Sequence, residues 1–207
     1  MAIEKKKVEE ELCIILKKTN AIDFGAFKLS SGRVTPYYID LRVIPSFPEA
    51  FRMVTNFLVN AINADLGVES FDRVSGIPSA GIPFASMVAF RLNKPFLYTR
   101  HGVRLRGRER RVEGVLMPGD RVLLIDDLVT TGLSLKKAAS AIRAEGGIVT
   151  DAYVILDREE GGREKLLEYN INLHCIVKVS DAAKRLYEMG TIDEDQLKII
   201  LKQTKRK

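Results

Sequence analysis

The stretch Arg121-Val-Leu-Leu-Ile-Asp-Asp-Leu-Val-Thr-Thr-Gly-Leu133 decides the fold of this chain. Its apolar run from Val122 to Ile125 is typical of a strand that is covered on both faces, as in a parallel sheet. Two carboxylates, Asp126 and Asp127, follow the run. We expect them to lie at the edge of the sheet where ligands bind in such folds.

The residues after the carboxylates predict a turn that opens a helix. Thr130, Thr131 and Gly132 form the turn, and apolar side chains then recur at helical spacing in Leu135, Ala138, Ala139 and Ile142. The first amides of such a helix have no partner within it, so they can donate hydrogen bonds to a phosphate. An isolated Asp-Asp or Thr-Gly pair would more simply indicate a strand end or a helix cap. The complete string favours a phosphate site.

Short strands and helices alternate on both sides of this stretch. The apolar patterns predict strands at residues 73–76, 95–99, 121–125, 149–156 and 172–177, and helices at residues 80–92, 133–145 and 163–169. This alternation predicts an α/β fold with a central, mostly parallel sheet flanked by helices.

The two ends of the chain add further elements. We predict a helix over residues 3–18, a β-hairpin over 24–42 and a connecting helix over 48–66, followed at the other end by helices over 182–189 and 193–203. Residues 1–70 would then form a small hood with its connecting helix, and residues 71–207 a core with C-terminal helices. The two parts are expected to make one continuous domain.

Composition limits the class of protein. The chain has 207 residues and a net charge of +6, and its two cysteines, Cys13 and Cys175, lie in apolar segments without metal-like spacing. No apolar stretch approaches the roughly 20 residues that span a bilayer, and no signal-peptide core follows the N-terminus. These features predict a cytoplasmic protein with reduced thiols and no membrane partner.

The positive charge is concentrated in one segment. Residues 100–111 contain six arginines and one glutamate, a net charge of +5. A solvated surface loop would explain this composition. The position directly after a predicted strand instead favours contact with a polyanionic ligand, because guanidinium groups bind phosphates in a bidentate manner.

A second glycine-containing loop, Ser75-Gly-Ile-Pro-Ser-Ala-Gly-Ile-Pro83, also lies between a predicted strand and a predicted helix. Its amides can form an anion nest, although such a turn is commonplace when it occurs alone. Together with the Thr-Thr-Gly turn it predicts a ligand that carries phosphate at both ends.

The order of these motifs resembles that of the orotate phosphoribosyltransferases, a branch of the type I phosphoribosyltransferase family. The resemblance covers roughly residues 24–162. It rests on Phe27-Lys-Leu-Ser-Ser-Gly-Arg-Val-Thr-Pro-Tyr-Tyr-Ile-Asp-Leu-Arg42, the arginine segment, Ile125-Asp-Asp-Leu-Val-Thr-Thr-Gly132 and Leu156-Asp-Arg-Glu-Glu-Gly-Gly162. The first and last of these motifs separate the orotate branch from relatives that use purines.

The resemblance implies a reaction and a set of site residues. The reaction is transfer of ribose 5-phosphate from phosphoribosyl pyrophosphate to orotate. Catalytic roles are implied for Asp126, Asp127 and Arg104, and contacts to orotate for Thr130 and Arg158. The implied contacts to phosphoribosyl pyrophosphate are Arg100, His101, Arg104, Arg106, Asp126, Asp127, Leu128, Val129, Thr130, Thr131, Gly132, Leu133 and Ser134. The implied pyrophosphate loop is Pro78, Ser79, Ala80 and Gly81.

The resemblance also implies partners. Mg²⁺ would enter with phosphoribosyl pyrophosphate and have no direct protein ligand. The chain would form a homodimer in which the loop from Arg100 to Arg111 reaches the neighbouring site, and it would bind neither nucleic acid nor membrane.

Some positions depart from the family pattern. Arg100, His101, Arg104 and Arg106 stand where the family usually has Arg, Lys, Lys and His, and Ser30 and Ala80 stand where many bacterial members have lysine. Arginine does not readily release a proton, so it cannot replace a lysine as a general acid.

Two alternative functions stay open: a transferase of the same fold for another base, and a non-catalytic regulator that senses nucleotides and binds nucleic acid through the arginines.

Overall fold

The structure is a computed structural model that describes residues 2–28, 34–100 and 111–204. The helices are α1 Ala2–Lys18, α2 Pro48–Asp65, α3 Gly81–Arg91, α4 Leu133–Ala144, α5 Gly162–Leu167, α6 Val179–Glu188 and α7 Glu194–Thr204. The strands are β1 Ile22–Lys28, β2 Val34–Ile39, β3 Arg73–Gly76, β4 Phe96–Thr99, β5 Val112–Glu113, β6 Val122–Val129, β7 Asp151–Asp157 and β8 Asn172–Lys178.

The core is a six-stranded sheet in the order β5-β4-β3-β6-β7-β8. Every neighbouring pair is parallel except β4 with β5, which is antiparallel. Strands β1 and β2 form a separate antiparallel hairpin, which we call the hood below. The predicted fold class is therefore confirmed. The short edge strand β5 had no recognisable signal in the sequence.

Both faces of the sheet are covered, as the apolar run of β6 predicts. Leu123 and Ile125 belong to a core cluster shared with α1, α2, α3, α6 and the hood, whereas Val122 and Leu124 belong to a second cluster shared with α4. Successive residues of a strand point to opposite faces, so a strand between two cores must be apolar at every position.

Strand β6 is longer than the sequence analysis expected. It continues through Asp126 and Asp127 to Val129 because β7 pairs with it up to Val129 and Asp157. Its pairing with β3 ends at Gly76 and Ile125. The two carboxylates therefore lie beyond the end of one neighbouring strand while they are still held by the other.

Two further observations concern the chain as a whole. Among the described residues, no helix combines the length and the apolar character needed to cross a membrane. Cys13 and Cys175 are free thiols, and burial raises the pKa of Cys13 to about 12.

Candidate active site

The structure brings the predicted site segments to one edge of the sheet. The glycine-containing loop follows β3, Arg100 follows β4, the Thr-Thr-Gly turn follows β6 and Arg158 follows β7. These strands are parallel neighbours, so their carboxyl ends share this edge. Ligands of open α/β sheets bind at that edge.

Asp126 and Asp127 form a buried carboxylate pair. Their exposed fractions are 7% and 9%, and the Asp127 amide donates a hydrogen bond to Asp126 Oδ1 at 2.9 Å. Burial raises the pKa of both carboxyls, and the adjacent charge of Asp127 raises that of Asp126 further. The two adjacent carboxyls offer several oxygen atoms at one place, which suits hydrogen bonding to the hydroxyl groups of a sugar.

Arg42 places a positive charge near this pair. Its Nε lies 2.6 Å from Asp40 Oδ1, and its Nη2 donates to Tyr38 Oη at 2.8 Å. The carboxylate of Asp40 raises the pKa of Arg42, and the charge of Asp127 adds to this effect. Sequence reasoning quoted Arg42 only as the end of a motif, since nothing local indicated that the hairpin returns to the carboxylates.

The turn after β6 is open to an anion. Gly132 has a φ of 74° and precedes α4 without a side-chain cap, so the first amides of the helix are not occupied by a capping side chain. Thr131 and Ser134 are exposed beside them. The side chain of Val129 is buried in the second core cluster and that of Leu128 packs against the first, so the backbone is the part of both residues that suits contact with an anion.

The turn that carries Arg158 packs directly on this phosphate turn. The Arg158 amide donates to the Val129 carbonyl oxygen at 3.0 Å. A Cβ on Gly162 would lie 2.5 Å from the Thr130 carbonyl oxygen, which only glycine avoids. Thr130 and Arg158, the two residues predicted to hold orotate, are therefore brought to adjacent turns.

The Arg158 side chain is buried and oriented. It is 4% exposed, its Nε lies 3.0 Å from Glu160 Oε1, and its guanidinium carbon lies 5.0 Å from the centroid of the Tyr37 ring. Nη2 is buried and has no hydrogen-bond partner among the described residues. A buried cationic donor without a partner is costly, so this guanidinium edge is suited to an anionic ligand.

Tyr37 lies against Arg158 in the candidate site, and the sequence analysis did not single it out. It is 1% exposed, and burial raises its pKa. An aromatic residue in a hairpin strand usually belongs to the core, so its position against Arg158 had no separate signal.

The predicted pyrophosphate loop contacts the carboxylate pair. A Cβ on Gly81 would lie 2.6 Å from the Ile125 carbonyl oxygen and 2.8 Å from Asp126 Oδ1. The Gly81 amide donates to the Ile77 carbonyl oxygen at 3.0 Å, and the peptide bond between Pro78 and Ser79 is cis. Ser79 is exposed at the tip of the loop, and Ala80 is half-buried.

A backbone hydrogen bond joins the two ends of the arginine segment, and an ion pair holds Arg100 beside them. The Arg100 amide donates to the Arg111 carbonyl oxygen at 2.9 Å, and Arg100 Nη1 lies 2.7 Å from Glu113 Oε1. The other predicted residues of this segment, and one hairpin position, lie outside the described residues: His101, Arg104, Arg106 and Ser30.

The carboxylates of the site offer oxygen atoms to a divalent cation. Within residues 2–28, 34–100 and 111–204, no group of three or more His, Cys, Asp or Glu side chains is placed to hold a metal ion. Asp126 and Asp127 supply carboxylate oxygens, the donor type that Mg²⁺ prefers, and Mg²⁺ commonly completes its shell with water and substrate phosphate.

Comparison with known proteins identifies the family. Residues 48–184 match the family model described as the phosphoribosyl transferase domain. An orotate phosphoribosyltransferase of Cenarchaeum symbiosum is 39% identical over 183 residues, which cover 88% of this chain and 92% of that protein. One of Sulfolobus acidocaldarius is 40% identical over 176 residues, covering 85% and 87%.

A solved structure gives the same result. The crystal structure of orotate phosphoribosyltransferase from Aeropyrum pernix matches with a TM-score of 0.74 and 33% identity, over 86% of this chain and 99% of that chain. The family model, the curated relatives and this structure agree with the motifs at the carboxyl edge of the sheet. The chain belongs to the phosphoribosyltransferase family, in its orotate phosphoribosyltransferase branch.

Proposed function

We propose that the chain transfers ribose 5-phosphate from phosphoribosyl pyrophosphate to orotate, giving orotidine 5′-phosphate and pyrophosphate in the synthesis of UMP. The observation that carries the choice of base is the buried guanidinium of Arg158, whose Nη2 has no hydrogen-bond partner among the described residues. A pyrimidine carboxylate would pair with this edge through charge-assisted hydrogen bonds.

The sugar donor would extend across the three neighbouring segments. Asp126 and Asp127 would accept hydrogen bonds from the ribose 2- and 3-hydroxyls. The amides and hydroxyls from Thr130 to Ser134 would hold the 5-phosphate, as helix N-termini do. The loop from Pro78 to Gly81, which packs against Asp126, would hold the pyrophosphate. Thr130 would contact orotate from the adjoining turn.

The chemistry requires orientation and charge more than covalent help. The bond from C1 of the ribose to pyrophosphate breaks as a ring nitrogen of orotate bonds to C1. The pyrophosphate leaves with the electron pair, and the proton of that ring nitrogen passes to a pyrophosphate oxygen. Positive charge develops on the ribose, where the adjacent carboxylate pair would stabilise it. The described site needs no protein nucleophile for this displacement, since both reactants are held in place by the surrounding turns.

Magnesium is part of the proposal. Mg²⁺ would neutralise the departing pyrophosphate, and Asp126 and Asp127 would contact it through water or substrate oxygens. This arrangement predicts that titration of the protein with Mg²⁺ alone gives no tight site, whereas phosphoribosyl pyrophosphate binds more tightly when Mg²⁺ is present. Tight binding of Mg²⁺ without the donor would contradict it.

The proposal also gives a role to the arginine segment and includes a homodimer. Arg100, His101, Arg104 and Arg106 would close over the pyrophosphate, with Arg104 supplying charge to the leaving group from the neighbouring subunit of a homodimer. The clustering of cations in residues 100–111 supports this role. A cytoplasmic location also stays part of the proposal.

The direct test is incubation of the purified protein with orotate, Mg²⁺ and phosphoribosyl pyrophosphate. Loss of orotate absorbance with equimolar release of pyrophosphate is expected. A panel containing adenine, hypoxanthine and uracil tests whether the protein uses another base. Turnover of one of these bases in place of orotate would overturn the assignment of the base, and absence of binding to phosphoribosyl pyrophosphate would overturn the whole proposal.

A further inference from the structure

The turn that carries Arg158 is attached to a second place in the fold, the start of α6. Glu159 lies in this turn, and its Oε2 accepts a hydrogen bond from the Ser180 amide at 3.0 Å. Ser180 belongs to the first turn of α6, where the residue before the helix, Lys178, makes no side-chain capping bond. The first amides of a helix have no partner within it, and the helix dipole favours a carboxylate there. Glu159 therefore caps α6 from another segment of the chain.

The backbone of this turn has an uncommon conformation at Glu159. Its φ is 55°, in the left-handed region that residues with a side chain seldom adopt. The buried carboxylate of Asp157 accepts a hydrogen bond from the Glu159 amide at 2.8 Å. Arg163 supports Asp157 in turn, since its Nε lies 3.5 Å from Asp157 Oδ2 and its Nη1 donates to the Leu173 carbonyl oxygen of β8 at 2.5 Å. A conformation of this kind persists where the surrounding contacts hold it.

Successive side chains of the turn have different partners. Arg158 is buried beside Tyr37, and its Nε lies 3.0 Å from Glu160 Oε1. Glu159, between Arg158 and Glu160 in the chain, bonds to the start of α6 instead. The Arg158 amide is bonded to the Val129 carbonyl oxygen on β6, so the turn is held by β6 at one residue and by α6 at the next. A rotation of the turn that redirected the guanidinium would break the bond to α6.

We propose that Glu159 is a positioning residue for the base pocket: by holding the turn to the start of α6, it fixes the direction in which Arg158 presents its guanidinium to the carboxylate of orotate. Glu159 itself touches no substrate, and its role rests on the proposed function. The supports of the sugar phosphate lie elsewhere, because Asp126 and Asp127 belong to β6 and the phosphate turn joins β6 to α4. Loss of the bond to α6 therefore weakens recognition of the base and spares that of the sugar phosphate.

The test is calorimetric titration of the full chain with orotidine 5′-phosphate and, separately, with ribose 5-phosphate. The two ligands share the sugar and the phosphate, so the ratio of their affinities measures recognition of the base. Glu159→Ala and Glu159→Gly both remove the carboxylate, and glycine also adopts a positive φ without strain. Both variants are expected to lower the ratio by about tenfold, as the loss of a charge-assisted hydrogen bond does. Glu159→Gln keeps an acceptor oxygen and is expected to stay within about threefold of the unmodified ratio.

Asp181→Ala is the matched control, because it removes another acid from the first turn of α6, one that pairs with Lys184 at 3.4 Å. It is expected to lower the melting temperature slightly and to leave the ratio unchanged. The role of Glu159 is overturned if Glu159→Gly keeps the ratio, if both affinities fall alike, or if the control lowers the ratio equally. An unmodified protein that binds the two ligands equally overturns the proposed base itself, and the role of Glu159 with it.

Discussion

The guanidinium carbon of Arg158 lies 5.0 Å from the centroid of the Tyr37 ring. Tyr37 belongs to β2 in the hood, and Arg158 follows β7 in the core, so this contact joins the two parts of the chain at the proposed base pocket. Both side chains are nearly inaccessible to solvent. Cation–π contacts of this kind strengthen when they are desolvated, so the hood holds the guanidinium in place as well as covering it.

Replacing Arg158 separates recognition of the base from recognition of the sugar. Arg158→Lys keeps the charge but loses the planar fork, and we expect kcat/KM for orotate to fall by about tenfold to a hundredfold, as expected for a charge-assisted pair. The affinity for phosphoribosyl pyrophosphate, measured by calorimetry, is expected to change little. Arg52→Lys, in an exposed pair with Glu49, is the control.

Arg158→Ala extends this comparison. It is expected to weaken orotate use more than the lysine variant does and again to spare binding of the donor. Equal losses for orotate and for the donor would remove Arg158 from the base pocket.

Replacing Tyr37 tests whether its ring positions the guanidinium. Tyr37→Phe keeps the aromatic face, whereas Tyr37→Leu removes it. We expect the leucine variant to raise KM for orotate by about threefold to thirtyfold, in line with a desolvated cation–π contact, with a smaller change in kcat. The phenylalanine variant is expected to stay closer to the unmodified protein. Identical kinetics in the two variants would mean that the ring does not position Arg158.

The sequence predicts the phosphate side of this site better than the base side. The run from Val122 to Ile125, the following carboxylates and the helix that begins at Leu133 lie in one continuous segment, so local patterns were enough to place them. Tyr37 and Arg42 reach the site through the folding of a hairpin onto a distant sheet. Their strand pattern is equally compatible with an ordinary core position, because side-chain alternation reports burial and not the identity of the neighbour.

Close approach between distant segments explains a further position that the sequence could not justify. Gly81 was predicted only as part of a loop, yet a Cβ there would lie 2.6 Å from the Ile125 carbonyl oxygen and 2.8 Å from Asp126 Oδ1. Backbone cannot move away from such a contact as cheaply as a flexible side chain can. The constraint becomes visible only when α3 and β6 are seen together.

Gly81→Ala should therefore impair the carboxylate pair. We expect displacement of Asp126 to reduce kcat/KM by about tenfold or more, since small misplacements in an active site are costly, and to lower the melting temperature. Gly25→Ala is the control, because a Cβ there would lie 3.4 Å from the nearest atom of Phe27. Full activity in Gly81→Ala would show that the loop and Asp126 can separate without consequence.

The burial of Asp126 predicts opposite effects of one substitution on stability and activity. Folding raises the pKa of this carboxyl well above its usual value, so the folded protein holds a proton more tightly than the unfolded chain. Stability therefore falls as pH rises from the unfolded pKa to the folded pKa, and the loss persists above it. Asp126→Asn removes this loss of stability at neutral pH, and it also removes a charge that the proposed mechanism uses.

We expect Asp126→Asn to raise the melting temperature at pH 7 by about 2–4 °C, the shift that about 1 kcal/mol produces in a chain of this size. The gain should shrink as pH falls through the raised folded pKa and be absent below about pH 4, where both proteins are neutral at this position. Asp23→Asn on the exposed hairpin should show neither effect. In the unmodified protein, activity should fall on acidification at a higher pH than an ordinary aspartate would give. A lower melting temperature for Asp126→Asn at neutral pH would contradict the sign of the raised pKa.

Sharing of the arginine segment between subunits predicts complementation. Arg104→Ala should inactivate the protein by removing a charge from the arginine segment. Asp127→Asn should inactivate it by removing a carboxylate from the site that this segment covers. If each arginine segment reaches the site of the other subunit, a dimer of one variant of each kind has one site in which both residues are intact. Random mixing makes about half of the dimers mixed, so we expect recovery of up to about a quarter of the unmodified activity after co-refolding or co-expression.

The matched control pairs two defects that lie in the same subunit's site. Mixing Asp127→Asn with Arg158→Ala leaves every site with one defect, because the turn that carries Arg158 packs on the segment that carries Asp127 in the same chain. No recovery is expected from that mixture. If the Arg104 and Asp127 mixture is equally inactive, the arginine segment does not act across the dimer, and the proposal that the two subunits share it is wrong.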